Sequence, residues 1–272
     1  MSNGHPHAAG EHQPAHPFHL VNPSPWPFAA SVATLLTAYG AVVYFHDRAQ
    51  PWFLIAGLVL VLLVAALWWR DVVREAQIER AHTDVVQHGL RLGMGLFIAS
   101  EVMFFAAFFW AFFNASLGVN PSIAVWPPEG VETLHTWDIP FLNTLILLSS
   151  GLAVNYAHHG VRENDRAAVK RGLGLAVALG AVFLTLQIVE YGEATFGFKD
   201  GVYPSVFYMA TGFHGFHVFV GVCFLAVTLL RASRGDFTPR QHVGFEAAAW
   251  YWHFVDVVWI FLFVWVYWWG NA

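Results

Sequence analysis

Seven long apolar runs constrain the fold of this chain more than any other feature of its sequence. A helix that crosses a bilayer needs about 20 mostly apolar residues, and no run contains more than two Asp, Glu, Lys or Arg. None alternates polar and apolar residues as the strands of a membrane barrel do. The sequence therefore predicts an all-α polytopic membrane protein with seven transmembrane helices, at residues 26–45, 51–69, 92–117, 139–157, 172–198, 202–230 and 243–269.

The overall composition agrees with a membrane location. Apolar residues make up 57% of the chain and charged residues 11%, whereas about 25% of a typical soluble domain is charged. A water-soluble chain of 272 residues could not bury so much apolar surface. The composition excludes a disordered chain, a nucleic-acid-binding protein and almost any soluble enzyme.

The basic residues fall almost entirely on one side of the predicted membrane. The loops after the second, fourth and sixth spans contain Arg70, Arg74, Arg80, Arg91, Arg162, Arg166, Lys170, Arg171, Arg231, Arg234 and Arg240. The opposite side has only Arg48 and Lys199. Because Lys and Arg concentrate on the cytoplasmic side of membranes, the N-terminus is predicted to be cytoplasmic (or in the matrix) and the C-terminus outside. An odd number of spans also places the termini on opposite sides.

The chain is predicted to have four parts. Residues 1–25 contain five His, five Pro and no Lys or Arg, and are interpreted as a disordered cytoplasmic tail. Residues 26–69 form transmembrane helices 1 and 2, residues 70–91 a charged cytoplasmic connector, and residues 92–272 a bundle of helices 3–7. The outside loop 118–138, which is rich in Trp and Pro, is either a packed lid at the membrane surface or a plain connector.

Glu101 is the most informative ionisable residue inside a predicted span. It lies about ten residues into the third span. Insertion of a charged side chain at that depth costs roughly 2.5–3.5 kcal/mol, so such a side chain usually faces protein, water or a partner. One interpretation is a carboxyl that handles protons or faces a ligand. The alternative is a structural, neutral acid that is hydrogen-bonded to a neighbouring helix.

The last three spans contain further ionisable residues, among them Glu190, His214, His217, Glu246, His253 and Asp256. His214 and His217 are three residues apart and so share one face of a helix. Histidines on facing helices can ligate haem or a metal, but the nearby carboxylates and hydroxyls favour neutral, hydrogen-bonded rings. We interpret these residues as an intramembrane polar network, and assign no catalytic residue and no metal ligand.

Small residues are interpreted as packing residues. Helix contacts are predicted at Gly89, Gly93, Gly212, Gly215 and Gly221. Cys223 is the only cysteine, which excludes an internal disulfide. Its apolar neighbours predict a small buried side chain.

The residues alone leave two functional alternatives open. No phosphate-binding loop, nucleophile elbow or zinc-protease motif occurs. A freestanding proton or ion transporter would use Glu101, Glu190, Glu246 and Asp256, and would transport when reconstituted alone. A two-haem membrane cytochrome would use the histidines, and the isolated chain would show a Soret band.

Several segments resemble subunit III of the haem–copper cytochrome c oxidase family. They are WWRDVVRE (68–75), HTDVVQHGLRLGMGLFIASEVMFFAAFFWAFF (82–113), WPPEG (126–130), LNTLILLSSG (142–151), AHHG (157–160), EY (190–191), ATGFHGFHVFVG (210–221) and GFEAAAWYWHFVDVVWIFLFVWVYWWG (244–270). The resemblance covers residues 26–271, and its C-terminal block is long and specific.

The resemblance implies a non-catalytic core subunit of an aa3-type oxidase. In that family haem a, haem a3, CuA and CuB lie in subunits I and II, which reduce O2 to water with electrons from cytochrome c and pump protons. Subunit III has no redox centre and contacts subunit I directly. Its helices 1 and 2 are splayed from helices 3–7 around a cleft filled with phospholipid, and it supports proton uptake and O2 access.

The resemblance also assigns residues to lipid binding, namely Trp68, Trp69, Arg74, Glu75, His82 and Arg231. Arg offers a fork of donors to a phosphate, and Trp suits the membrane interface. The alternative is that these arginines only follow the charge bias. Asp236 stands where the family has a basic residue or His, which puts a second head-group contact there in question. Glu101 matches the family's membrane-embedded carboxyl, and the roles suggested for that carboxyl are proton handling or a place beside the O2 path.

The location and the electron donor follow less directly. The Ala-rich, His-rich chain favours a bacterial cytoplasmic membrane, with the C-terminus in the periplasm, over a mitochondrial inner membrane. The corresponding subunit of a quinol oxidase is a further alternative. Those relatives commonly lack the first two spans, so their presence here favours cytochrome c as the donor.

Overall fold

The computed structural model describes residues 17–47, 51–79, 81–119, 123 and 125–271. Within these ranges the regular secondary structure is helical, with no strand. The helices are α1 (Trp26–Asp47), α2 (Trp52–Gln77), α3 (Asp84–Ser116), α4 (Ile139–Arg162), α5 (Arg166–Glu193), α6 (Val202–Arg234) and α7 (Val243–Leu262), followed by a π-helical turn (Phe263–Trp268) and a 3-10 turn (Trp269–Asn271). All seven helices are long and apolar enough to cross a membrane. The prediction of an all-α, seven-span chain is confirmed.

Several helices extend beyond the apolar runs that predicted them. Helix α2 continues to Gln77 and α3 begins at Asp84, so residues 70–91 are mostly helical. Hydropathy marks the part of a helix that suits hydrocarbon, whereas the backbone hydrogen bonds continue into the polar segments on either side. Residues 1–16 of the predicted tail lie outside the described residues, as do Arg48 and Arg80.

The chain divides between Leu90 and Arg91 into two compact units. In the first, α1 and α2 form an antiparallel hairpin. The Trp26 indole N–H donates to Asp71 Oδ2 at 2.7 Å and so joins the start of α1 to the end of α2. A Cβ added at Gly57 would lie 2.6 Å from Thr37 Cα, so the two backbones approach closely along the hairpin.

Helix α7 supplies much of the buried core of the second unit. Its Trp252 and Trp259 are almost fully buried, and a buried indole N–H needs an acceptor. Trp252 Nε1 donates to Ser150 Oγ and Trp259 Nε1 to Thr144 Oγ1, each at 2.9 Å. Both acceptors belong to α4, so each tryptophan joins α7 to α4 by packing and by a hydrogen bond.

A short turn joins α4 to α5. Asp165 Oδ1 accepts hydrogen bonds from the backbone N–H groups of Ala167 and Ala168, at 2.9 and 3.0 Å, and so caps the start of α5. A Cβ added at Gly172 would lie 2.7 Å from the carbonyl oxygen of Ala153. The cap and this close approach fix α5 against α4.

Only one of the predicted glycine contacts lies at a tight helix interface. A Cβ added at Gly221 would lie 2.8 Å from Trp252 Cε3. Within the described part of the chain, a Cβ added at Gly89, Gly93 or Gly215 would meet nothing within 4 Å, and the nearest atom to one at Gly212 is Tyr191 Oη at 4.0 Å. The spacing of glycines along a helix predicts a helix contact. It does not tell which face of the helix packs against a neighbouring helix.

The prediction that Cys223 is buried is wrong. Its side chain is exposed on α6, whereas Val218, Gly221 and Leu225 on the same helix are buried. Two residues after Gly221, the helix has turned by more than half a circle. Cys223 therefore points away from the bundle although its sequence neighbours are apolar.

The loop between α3 and α4 packs on the bundle. Trp126 lies between the rings of Phe112 and Tyr203, with centroids 5.4 and 5.3 Å away. The Thr136 hydroxyl donates to the carbonyl oxygen of Tyr267 at 2.5 Å, and Asn271 Nδ2 donates to that of Leu134 at 2.8 Å. These contacts favour the packed lid over the plain connector.

Candidate functional site

Glu101 on α3 and His217 on α6 form a contact between helices. Glu101 Oε2 lies 3.0 Å from His217 Nε2. His217 Nδ1 lies 2.7 Å from the carbonyl oxygen of Phe213, one turn earlier on α6. Both ring nitrogens of His217 therefore have partners.

The hydrogen bonds of this pair limit its protonation states. Since a carbonyl oxygen only accepts, His217 Nδ1 must carry a proton. His217 Nε2 then either accepts a hydrogen bond from the hydroxyl of a neutral Glu101 or, in an imidazolium, donates one to the Glu101 carboxylate. Both states hold the same number of protons and have no net charge, which suits a position inside a membrane.

Aromatic rings surround the pair. Phe105 makes an edge contact with the His217 ring at 4.9 Å between centroids, and Tyr251 of α7 stacks on it at 6.4 Å. The side chain of His217 is 9% exposed and that of Glu101 is 21% exposed. The carboxyl thus reaches the bundle surface while the imidazole is enclosed.

His214 makes a separate contact, with α7. Its Nε2 lies 3.2 Å from the carbonyl oxygen of Val255, and its ring packs on Phe183 and Trp259. The His214 Nδ1 atom is buried without a partner. The Nε2 contact favours a hydrogen-bonded histidine over a haem ligand at this position.

Glu190 lies in a third polar group, between α5 and the C-terminal turns. The Tyr267 hydroxyl donates to Glu190 Oε1 at 2.6 Å, and Gln187 Nε2 donates to the same oxygen at 3.2 Å. Glu190 is 2% exposed and Tyr267 is fully buried. Gln187 and Tyr267 were not identified from the sequence, because both are uncharged and lie within apolar runs.

The remaining ionisable residues of α7 pair at two positions. Near its start, Arg91 Nε donates to Glu246 Oε2 at 2.7 Å. Further along, His253 contacts Asp256 Oδ2 at 3.4 Å and, through its other ring nitrogen, Asn155 Oδ1 at 2.9 Å. The contacts of Glu246 and His253 therefore join α7 to α3 and α4.

Two of the lipid-binding candidates after helix 2 lie close together near the end of α2. Glu75 and His82 converge with His19, their ligand-type atoms all within 4.8 Å of one another. Arg74 is exposed, and Trp69 is 68% exposed. Exposed Trp and Arg side chains are therefore available at this end of the hairpin.

Arg231, the candidate after helix 6, already has protein partners. Its Nε lies 3.4 Å from Asp236 Oδ2, and its guanidinium carbon lies 4.7 Å from the centroid of the Phe237 ring. Its side chain is 19% exposed. Asp236 departs from the family pattern that the resemblance implies. Its carboxylate therefore uses part of the hydrogen-bonding capacity of the Arg231 guanidinium.

Comparison with known proteins agrees with this architecture. The family model for cytochrome c oxidase subunit III matches residues 16–271. Proteins named cytochrome c oxidase subunit 3 from Chondrus crispus, Marchantia polymorpha and Struthio camelus are 53%, 54% and 51% identical to the chain. Each alignment covers 94% of this chain and 95%, 97% and 98% of the respective relative. The chain therefore belongs to the cytochrome c oxidase subunit III family.

Proposed function

We propose that this chain acts in the oxidase as a non-catalytic subunit that holds phospholipid and stabilises subunit I. The observation that carries the proposal is that its membrane-embedded acids and histidines pair with other side chains and backbone groups of the chain itself, as Glu101 does with His217. Such pairs stabilise helix contacts. Haem a, haem a3, CuA and CuB would then belong to subunits I and II.

Subunit I is the direct partner in this proposal, and subunit II belongs to the same complex. Cytochrome c is the proposed electron donor, in line with the names of the relatives. A mild-detergent pull-down with a reduced-minus-oxidised spectrum tests the assembly. Haem a bands with two large partners are expected, whereas a colourless chain without partners would contradict the proposal.

Lipid binding is proposed for the exposed end of α2 and for Arg231. Trp68 and Trp69 would lie at the membrane interface, and Arg74 would donate to a lipid phosphate. Glu75 and His82 would complete the head-group segment. The cleft between helices 1–2 and helices 3–7 stays a prediction from the family resemblance.

Replacement of Arg74 and Arg231 by Ala tests the head-group assignment. The double variant is expected to retain fewer phospholipids per purified complex and to lose activity sooner during turnover. Arg162→Ala is the matched control, because Arg162 is exposed on the same predicted side but is not assigned to lipid. Equal lipid content in all three complexes would show that these arginines only follow the charge bias.

We propose a bacterial cytoplasmic membrane as the location of the chain, with a cytoplasmic N-terminus and a periplasmic C-terminus. The charge distribution of the loops supports the orientation. The relatives are from organelles, so the bacterial location rests on composition alone. Accessibility of a reporter fused to the C-terminus, measured in intact cells and in inverted vesicles, tests the orientation.

Within the oxidase, the chain is proposed to keep proton uptake by subunit I fast and to admit O2 through its lipid. The Glu101–His217 pair would act in this arrangement as a structural link between α3 and α6. Initial oxidase rates of Glu101 variants separate this role from direct proton handling.

A further inference from the structure

Three metal-ligating side chains converge where α4 ends and α7 begins. They are His158 in the last turns of α4, His242 immediately before α7, and Glu246 in its first turn. Each offers one ligand atom, and these atoms all lie within 4.8 Å of one another. The cluster lies in the second unit, at the end of the bundle with the Arg-rich loops.

A backbone hydrogen bond fixes the tautomer of His242. Its Nδ1 lies 3.0 Å from the carbonyl oxygen of Thr238, which only accepts, so Nδ1 carries a proton. In the neutral ring His242 Nε2 then presents a lone pair toward Glu246 Oε1, 3.4 Å away. Metal-bound histidines are held in this way by a second hydrogen bond from the ring nitrogen that does not bind the metal.

The ring of His158 lies beside this pair. It stacks on Phe245 at 5.5 Å between centroids and tilts against His242 at 5.8 Å. Its Nε2 atom is buried and has no hydrogen-bond partner. A buried ring nitrogen without a partner needs an explanation, and a cation shared with His242 and Glu246 would provide one.

We propose that His158, His242 and Glu246 bind a divalent transition-metal ion of the zinc type. Two imidazoles and one carboxylate form a known zinc donor set, and they leave a fourth position for water. Neighbouring donors of a tetrahedral zinc ion lie about 3.4 Å apart. The His242–Glu246 pair already has a spacing of 3.4 Å, so ion binding requires mainly an approach of the His158 ring.

Arg91 has a supporting role in this site. It donates to Glu246 Oε2, so Glu246 Oε1 remains directed toward His242. The arginine thereby orients the carboxylate, as groups behind a metal ligand commonly do. Its positive charge also opposes that of the ion, so the site gains less from charge than a site with two carboxylates would.

Zinc content of the intact, chelator-treated oxidase tests the proposal. Complexes with the wild-type chain, His158→Ala, His242→Ala or Glu246→Gln are incubated with Zn2+, separated from free metal and analysed for bound zinc. The wild-type complex is expected to hold one more zinc ion than each variant, with at least about a tenfold loss of affinity in the variants.

His159→Ala is the matched control. His159 is adjacent in sequence but is exposed and pairs with Glu163 at 3.0 Å, so this variant is expected to bind zinc like the wild type. Equal zinc content in all complexes would overturn the proposal and leave His242 and Glu246 as an ion pair only.

Anomalous scattering at the zinc edge from crystals of the wild-type complex does not depend on the assembly of any variant. A peak between His158, His242 and Glu246 is expected after Zn2+ soaking. A map with signal only at other places in the oxidase would likewise overturn the assignment.

Discussion

Glu101 Oε2 and His217 Nε2 lie 3.0 Å apart and join α3 to α6 inside the membrane-spanning bundle. His217 Nδ1 carries a proton for the Phe213 carbonyl, and one further proton lies between His217 Nε2 and Glu101 Oε2, so the pair is neutral overall whichever of these two atoms holds it. The contact therefore satisfies two ionisable groups without leaving a net charge in hydrocarbon. It also gives Glu101 a structural role that can be separated from proton handling.

Replacement of Glu101 by Gln is expected to leave assembly and the initial oxidase rate nearly unchanged. A glutamine side chain can still donate a hydrogen bond to His217 Nε2. Glu101→Leu removes this partner and leaves the enclosed imidazole nitrogen unpaired, which costs roughly 1–3 kcal/mol. The midpoint of detergent- or heat-induced loss of the chain from the purified complex should therefore fall for Glu101→Leu but not for Glu101→Gln.

Initial turnover, measured before any inactivation, separates the two roles of Glu101. A structural link predicts that both variants start near the wild-type rate and that Glu101→Leu then decays faster. A collapse of initial turnover in Glu101→Gln would instead identify Glu101 as a residue that handles protons.

The sequence identified Glu101 and His217 separately but did not pair them. Each stands out because an ionisable side chain in an apolar run needs a partner. Which partner it finds depends on how deep α3 and α6 lie in the membrane and how each is rotated about its axis. Glu101 and His217 are more than 100 residues apart in the sequence, so the sequence does not give this arrangement. The ion pair of Arg91 with Glu246 was missed for the same reason, since Arg91 contributed only to the count of basic residues.

Uncharged polar residues were harder to identify than charged ones. Gln187 and Tyr267 both contact Glu190, yet neither is unusual in a transmembrane sequence. The spans themselves were predictable, because hydrophobic length is a property of one segment alone. Glycine contacts were not, because spacing alone does not tell whether a glycine such as Gly221 or one such as Gly215 faces a neighbouring helix.

Tyr267→Phe is expected to destabilise the bundle by roughly 1–3 kcal/mol. The substitution removes the hydroxyl that donates to Glu190 Oε1 at 2.6 Å, and the buried carboxyl loses its shortest hydrogen bond. Thermal denaturation of the purified complex, followed through loss of this chain, measures the effect. Tyr156→Phe is the control, because Tyr156 is 47% exposed on α4. Equal midpoints for the two variants would show that the Tyr267 hydroxyl contributes nothing to stability.

Gly221→Val is expected to weaken the packing of α6 on α7 by about 1–3 kcal/mol, as overpacked cores do. The new side chain would begin 2.8 Å from Trp252 Cε3, where there is no room for it. Gly215→Ala is the matched control on the same helix, since its Cβ would meet nothing within 4 Å in the described part of the chain. Denaturation midpoints of the two complexes should differ clearly. If Gly221→Val were as stable as the wild type, α6 and α7 would have to approach less closely than the structure has them.

Asp236→Asn is expected to increase phospholipid retention at Arg231 by about two- to fivefold, which is the range set by the loss of a weak, partly exposed ion pair. The carboxylate lies 3.4 Å from Arg231 Nε and competes with a phosphate for the same donor. The asparagine has a similar shape but no charge, so the cation–π contact of Arg231 with Phe237 is retained. Phospholipid retained per complex after detergent washing measures the change.

The Asp236→Asn, Arg231→Ala double variant is the control and should retain no more lipid than Arg231→Ala, because Asp236 acts only through Arg231. A gain of lipid in the double variant would mean that the aspartate repels head groups directly, without the arginine.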